Sequence, residues 1–146
     1  MDTPALPPDR PAIGEGRYHR PGDPWPLYAS LEPGTVWAEW ASATHGAIDP
    51  AEERRRLWSI GVRDLPILDL RRPEVVEALG VDLRDLVGPR VAAQTLATRS
   101  RALGAHGIVA PSAADPERWN LVVLPEGFGH VTVGRSRVVH PSPPRA

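Results

Sequence analysis

The chain has 146 residues and contains no cysteine, no lysine, one methionine and one phenylalanine. Without cysteine there is no disulfide framework, no thiolate nucleophile and no cysteine-based zinc site, although the absence says nothing about redox compartment. Without lysine there is no Schiff-base chemistry, which needs a primary side-chain amine. All 17 basic residues are arginine, and with 18 Pro and 13 Gly this bias follows base composition as readily as function. Arginine number alone therefore does not signal phosphate binding. No apolar run approaches the ~20 residues of a membrane helix. The opening MDTPALPPDRPAIGEG has acid and proline where a secretory leader needs a basic start and an apolar stretch. A cytoplasmic protein with no membrane association is expected.

What is present fits one globular domain, residues 1–146, with a core over about 12–140. Hydrophobic residues make up 41% of the chain, enough to bury a core at this length. A formal net charge of −1 supplies no global attraction to a nucleic-acid backbone, so direct nucleic-acid binding is not expected. Arg54, Arg55 and Arg56 follow Glu52 and Glu53, a mixed run that reads as a solvated face. The histidines at 19, 45, 106, 130 and 140 lack the i, i+4 pairing of a zinc helix, and no metal is expected. Gly14-Glu15-Gly16 and Gly127-Phe128-Gly129 do not form the strand-to-helix G-x-G-x-x-G of a Rossmann nucleotide site.

Prolines at 4, 7, 8 and 11 make the N-terminus an irregular arm, and the tail HPSPPRA has the same character. WPLYAS reads as a short strand, and Pro33 opens a helix through VWAEWASA in which Val36, Trp37, Trp40 and Ala41 form a core-facing stripe with Glu39 at its edge. RLWSIGV and LPILDL read as strands, PEVVEALG as a short helix closed by Gly80, the region of Asp82 as a turn, and Pro89 to Leu103 as a helix stopped by Gly104. GIVAPSA, NLVVLP and HVTVGRSRVVH read as further strands. Strands and helices do not alternate regularly, so the expected class is α+β on a mixed or antiparallel sheet. The five tryptophans read as core residues.

Arg17, Tyr28 and Glu39 stand eleven positions apart within the segment GRYHRPGDPWPLYASLEPGTVWAE. With GRYHRPG, LYAS, the AE of VWAEW, the Q-x-L-A of Gln94 to Ala97, HGIVAPSA and NLVVL in this order, the chain resembles the RES domain family from about Gly16 to Leu124. The family's Arg, Glu and Ser fall on Arg17, Glu39 and Ser112, and its intervening aromatic on Tyr28. The interval from Arg17 to Tyr28 is one residue longer than the common family form, and His19 and Arg20 stand where Asn and Pro are frequent.

The resemblance implies an ADP-ribosyltransferase-like fold, NAD+ as substrate, and cleavage of the bond between nicotinamide and ribose. It assigns catalysis to Glu39 and Arg17 and substrate binding to Arg17, Tyr28, Ser112 and Asn120. No cofactor is implied beyond NAD+ as substrate and inorganic phosphate as a co-substrate. A carboxylate suits an oxocarbenium-like ribose, a guanidinium fork suits a pyrophosphate, and a tyrosine presents its ring to a cationic pyridinium while its phenol stays available for a polar contact. Ser112 would donate to a phosphate or to the carboxamide. Taken singly, each residue has a plainer explanation: Arg17 as a surface cation, Glu39 as the solvated edge of a helix, Tyr28 as a half-buried strand aromatic, and Ser112 and Asn120 as backbone ties.

Three functions stay open at this level. The first is a toxin that depletes NAD+ by hydrolysis or phosphorolysis and arrests growth. The second is transfer of ADP-ribose to a protein, and the third is a catalytically silent partner-binding protein. The resemblance also implies a cognate Xre-like helix-turn-helix antitoxin, which would make any DNA contact, and a homodimer within the toxin–antitoxin complex.

Overall fold

The computed structural model describes residues 6, 12, 14–43 and 55–139. The Pro-rich arm, except Leu6 and Ala12, and the HPSPPRA tail lie outside the described residues, as do His45, Glu52, Glu53, Arg54 and His140. In chain order the elements are β1 (Leu27–Ser30), α1 (Pro33–Ala43), β2 (Arg55–Val62), β3 (Ile67–Asp69), α2 (Pro73–Leu79), α3 (Leu83–Leu86), α4 (Arg90–Ala102), β4 (Gly107–Pro111), β5 (Trp119–Val123), a 3-10 turn (Pro125–His130) and β6 (Val131–Val139). The class is α+β.

The main sheet has the order β1-β5-β4-β3, with β3 parallel to β4 and the other pairs antiparallel, so it is mixed. β2 and β6 pair separately as a long antiparallel ribbon, with a register shift between Trp58 and Ile60. GIVAP of β4 is buried at every position, as expected of a strand covered on both faces. Side chains alternate along a strand. Ile108, Ala110 and Val122 accordingly pack with Leu70, Leu79, Leu86, Ala93, Leu96 and Ala97, whereas Val109, Leu121 and Val123 pack with Val131 on the opposite face.

The helices end where local chemistry dictates. Gly80 takes φ 66°, a left-handed conformation that costs glycine little, and its N–H reaches the carbonyls of Val76 and Glu77 at the end of α2. Asp82 does not sit in a simple turn, as the sequence suggested. It caps α3, its carboxylate accepting the Arg84 N–H.

Three other expectations change. None of the five tryptophans belongs to the fully buried core; all are half-buried. On α1 the buried side chain is Thr35, while Val36, Trp37, Trp40 and Ala41 are only half-buried, since this short helix lies over the β1 edge of the sheet. Arg56 is half-buried rather than fully solvated: it donates to Ser136 Oγ across the ribbon, and its Nε is buried.

No helix among the described residues is long and apolar enough to cross a membrane. The packing makes one direct prediction. Ile108 is fully buried, so Ile108→Ala should destabilise the protein by roughly 2–5 kcal/mol, whereas Val91→Ala, at a position 68% exposed, should shift stability by less than about 0.5 kcal/mol. Urea unfolding midpoints check both.

Candidate functional site

The turn that begins at Gly16 is the first part of the site. Gly16 and His19 form an antiparallel bridge, with the Gly16 N–H donating to the His19 carbonyl at 3.0 Å. Tyr18 drops into the core at 4% exposure, and Gln94 of α4 donates from Nε2 to the carbonyls of Gly16 (3.0 Å) and His19 (3.2 Å). A Cβ on Gly16 would lie 2.4 Å from His19 Cε1 and 2.9 Å from the Tyr28 hydroxyl, so only glycine fits there. The turn is thus held from the core, from α4 and from β1.

Arg17 projects from this turn. Its Nη1 donates to the carbonyls of Gly88 (2.7 Å) and Leu86 (3.1 Å), just at and beyond the end of α3, where unpaired carbonyls attract a cation. Arg20 leaves in another direction, to the hydroxyls of Thr95 and Thr98 on α4.

β1 supplies the next part. In register with β5, Tyr28 lies opposite Val122 and Ser30 opposite Asn120, so these four side chains share the face that carries the helices. Tyr28 is 43% exposed, but its hydroxyl is engaged: it accepts the Tyr18 N–H at 2.9 Å and shares a hydrogen bond with His19 Nδ1 at 2.8 Å. The phenol is therefore not left available, as the sequence reading supposed, and the ring face is what the residue presents.

Glu39 comes from α1. Its Oε1 accepts two hydrogen bonds, from Ser112 Oγ and from Asn120 Nδ2, each at 2.6 Å. No described residue bonds Oε2. Asn120 is itself oriented by Ser30 Oγ, which donates to Asn120 Oδ1 at 2.7 Å. Ser112 is fully buried and accepts the N–H groups of Ala114 (3.2 Å) and Asp115 (3.1 Å), closing the turn after β4. With its hydrogen given to Glu39, the serine stands behind the carboxylate.

Gly16, Arg17, Tyr28, Glu39, Asn120 and Arg90 border one open cleft of about 580 Å³, within the range of small-molecule sites. Of the five residues expected from sequence, four line it, and Ser112 lies behind the wall. Arg90 was not singled out from sequence. It sits at the first position of α4, where an arginine has no motif to distinguish it, and only the packing of α4 against the Gly16 turn brings it to the cleft. Among the described residues no three His, Asp or Glu side chains cluster as a metal-binding group.

Burial sets the protonation of the aromatic wall. It lowers the His19 pKa below 6.5, with Arg90 acting in the same direction and Asp23 and Glu15 opposing. Burial pushes Tyr28 up to about 12, partly offset by the Tyr18 N–H, and raises Tyr18 further. A phenol raised above its unfolded value of 10 contributes stability that is fully present below pH 10 and is lost as pH rises through about 12. At pH 10 neither tyrosine should be ionised in the native protein. Phenolate absorbance in the near ultraviolet should appear only above pH 11, or together with unfolding.

Comparison with known proteins places these observations in a wider group. The sequence model of the RES domain matches residues 3–141. The chain is 35% identical over 134 residues to a probable NAD(+) phosphorylase of Mycobacterium tuberculosis, covering 91% of this chain and 65% of that protein. It therefore spans slightly less than two thirds of that relative's length. Its fold is similar to a chain in the crystal structure of the M. tuberculosis MbcT–MbcA toxin–antitoxin complex, with a TM-score of 0.70 and 25% identity, covering 88% of this chain and 74% of that one.

Proposed function

The chain belongs to the RES domain family, and we propose that it is a toxin which degrades NAD+ by cleaving the bond between nicotinamide and ribose. The observation that carries this reading is the charge polarity of the cleft: Arg17 and Arg90 border it together with the hydrogen-bonded carboxylate of Glu39. NAD+ has matching polarity, with an anionic pyrophosphate and a cationic nicotinamide riboside. The M. tuberculosis relative, a probable NAD(+) phosphorylase, supports the same substrate.

In this reading the C–N bond breaks heterolytically, and its electron pair leaves with nicotinamide, which becomes neutral and needs no acid. The ribose carries the positive charge, and Glu39 stabilises it. The carboxylate is oriented before substrate arrives, because Ser112 and Asn120 both hold Oε1, so little reorganisation is needed as charge develops. Arg17 anchors phosphate with the donors not spent on Leu86 and Gly88, and Tyr28 offers its ring face to the pyridinium. A phosphate oxygen then forms the new bond to ribose; with water as acceptor, the attacking molecule releases a proton. NAD+ is consumed as a substrate, with phosphate as co-substrate and no resident cofactor.

The toxin–antitoxin complex of the structural relative supports an antitoxin partner for this chain too. We assign that role to an Xre-like helix-turn-helix protein that blocks the cleft and carries the DNA contact, in a cytoplasmic complex that includes a toxin homodimer. Transfer of ADP-ribose to a protein would use the same electrophile and differs only in the acceptor.

Purified protein incubated with NAD+ should release nicotinamide, faster with inorganic phosphate present. Glu39→Gln should lower kcat by about 10²–10³-fold, the effect of losing a charge-stabilising group. Ser112→Ala, which leaves the carboxylate in place but less firmly held, should fall between that variant and wild type. Absence of nicotinamide release from wild type, with no labelled protein in lysate, would overturn both enzymatic readings.

A further inference from the structure

We propose that Arg90 is the second pyrophosphate-binding cation of the cleft and that Glu15 competes with the dinucleotide for it. This rests on the reading of the cleft as a dinucleotide site. Arg17 by itself is poorly matched to two linked phosphates, because Nη1 is occupied by the carbonyls of Leu86 and Gly88. Only the remaining donors of its fork can serve a ligand. A second cation on the same cleft is what a pyrophosphate requires, and Arg90 is there.

Arg90 is also uncommitted in a way that Arg17 is not. Its one ion pair among the described residues is with Glu15, Nη1 to Oε1 at 3.3 Å, and both side chains are about half exposed, at 49% and 52%. An exposed pair of this length is weak, screened by salt and easily exchanged for a better anion. Glu15 is not otherwise strongly held, its other hydrogen bond among the described residues being from Gln94 Nε2 at 3.4 Å. Phosphate oxygens offer Arg90 a bidentate, charge-assisted partner, and the guanidinium can take it by releasing Glu15. Arg90 also lies close enough to His19 and Tyr28 to act on the protonation of both. Arg17 acts on Tyr28 as well, so the two cations stand near the same phenol in the same cleft.

The pair thus acts as an affinity setting. Glu15 partly neutralises Arg90 and so lowers affinity for anything anionic. The prediction is two-sided and coupled: Arg90→Ala weakens dinucleotide binding, Glu15→Gln strengthens it, and the gain from Glu15→Gln disappears when Arg90 is absent.

The test uses the full chain and ADP-ribose, followed by calorimetry at two salt concentrations, together with nicotinamide release from NAD+ and from nicotinamide riboside, which keeps the scissile bond and lacks phosphate. Arg90→Ala should weaken ADP-ribose binding about 10-fold and raise KM for NAD+ to a similar degree, with kcat changing much less. Glu15→Gln should tighten ADP-ribose binding about 3-fold, more at low salt than at high. In the double variant that gain should vanish, and turnover of nicotinamide riboside should not respond to Arg90→Ala. Equal loss on nicotinamide riboside would mark Arg90 as structural and overturn the proposal. So would unchanged ADP-ribose binding in Arg90→Ala, tightening by Glu15→Gln without Arg90, or no ADP-ribose binding by any form. If wild type cleaves no NAD+ yet ADP-ribose binding responds as described, the cleavage reading fails and the phosphate seat stands.

Discussion

Two hydrogen bonds on one oxygen join parts of this protein that lie far apart in sequence. Glu39 Oε1 receives Ser112 from the end of β4 and Asn120 from β5, so helix α1, the turn after β4 and the centre of the main sheet meet at a single carboxylate. The junction depends on strand pairing. β5 places Asn120 opposite both Ser30 of β1 and Ala110 of β4, and Ser30 then fixes which way the Asn120 amide points. A side-chain carboxylate oriented by several donors is costly to displace, because each donor would be left without a partner. The same arrangement that ties α1 to the sheet therefore leaves Glu39 fixed, with its second oxygen free of described partners.

The cationic part of the cleft is built by different means. There, backbone carbonyls orient a guanidinium, and a glycine allows a histidine and a phenol to approach closely. Gln94 illustrates how little material is needed: one amide nitrogen reaches two carbonyls of the Gly16 turn and joins that turn to the longest helix. Glu39 is held by side chains of β5 and the turn after β4, and Arg17 by backbone carbonyls at the end of α3, so the two charges of the cleft rest on different supports.

Much of the fold was legible along the chain because it rests on local rules. Proline at helix starts, Gly80 and Gly104 at helix ends, and short branched runs for β4, β5 and β6 all describe the observed elements. The departures have local causes too. Asp82 caps a single helical turn too short to leave a periodic pattern, and the tryptophans stay half-buried at the margin of the core. The mixed sheet was within expectation, yet strand order was not readable, since β1 pairs with β5 and β3 with β4 across long stretches of intervening chain.

Sequence by itself determined which reactive groups the chain has and which it lacks. The lack of cysteine and lysine removed whole classes of nucleophile, and the order of its short motifs identified Arg17, Tyr28, Glu39, Ser112 and Asn120. Tertiary structure alone decided what each of these side chains touches. Ser112 turned from an expected ligand contact into a support for Glu39, the Tyr28 phenol is enclosed by Tyr18 and His19, and Arg90 joined the cleft without any motif to announce it. The reason is physical: a side chain's chemistry is local, whereas its hydrogen-bond partners and its exposure depend on residues brought together only when the sheet and helices pack.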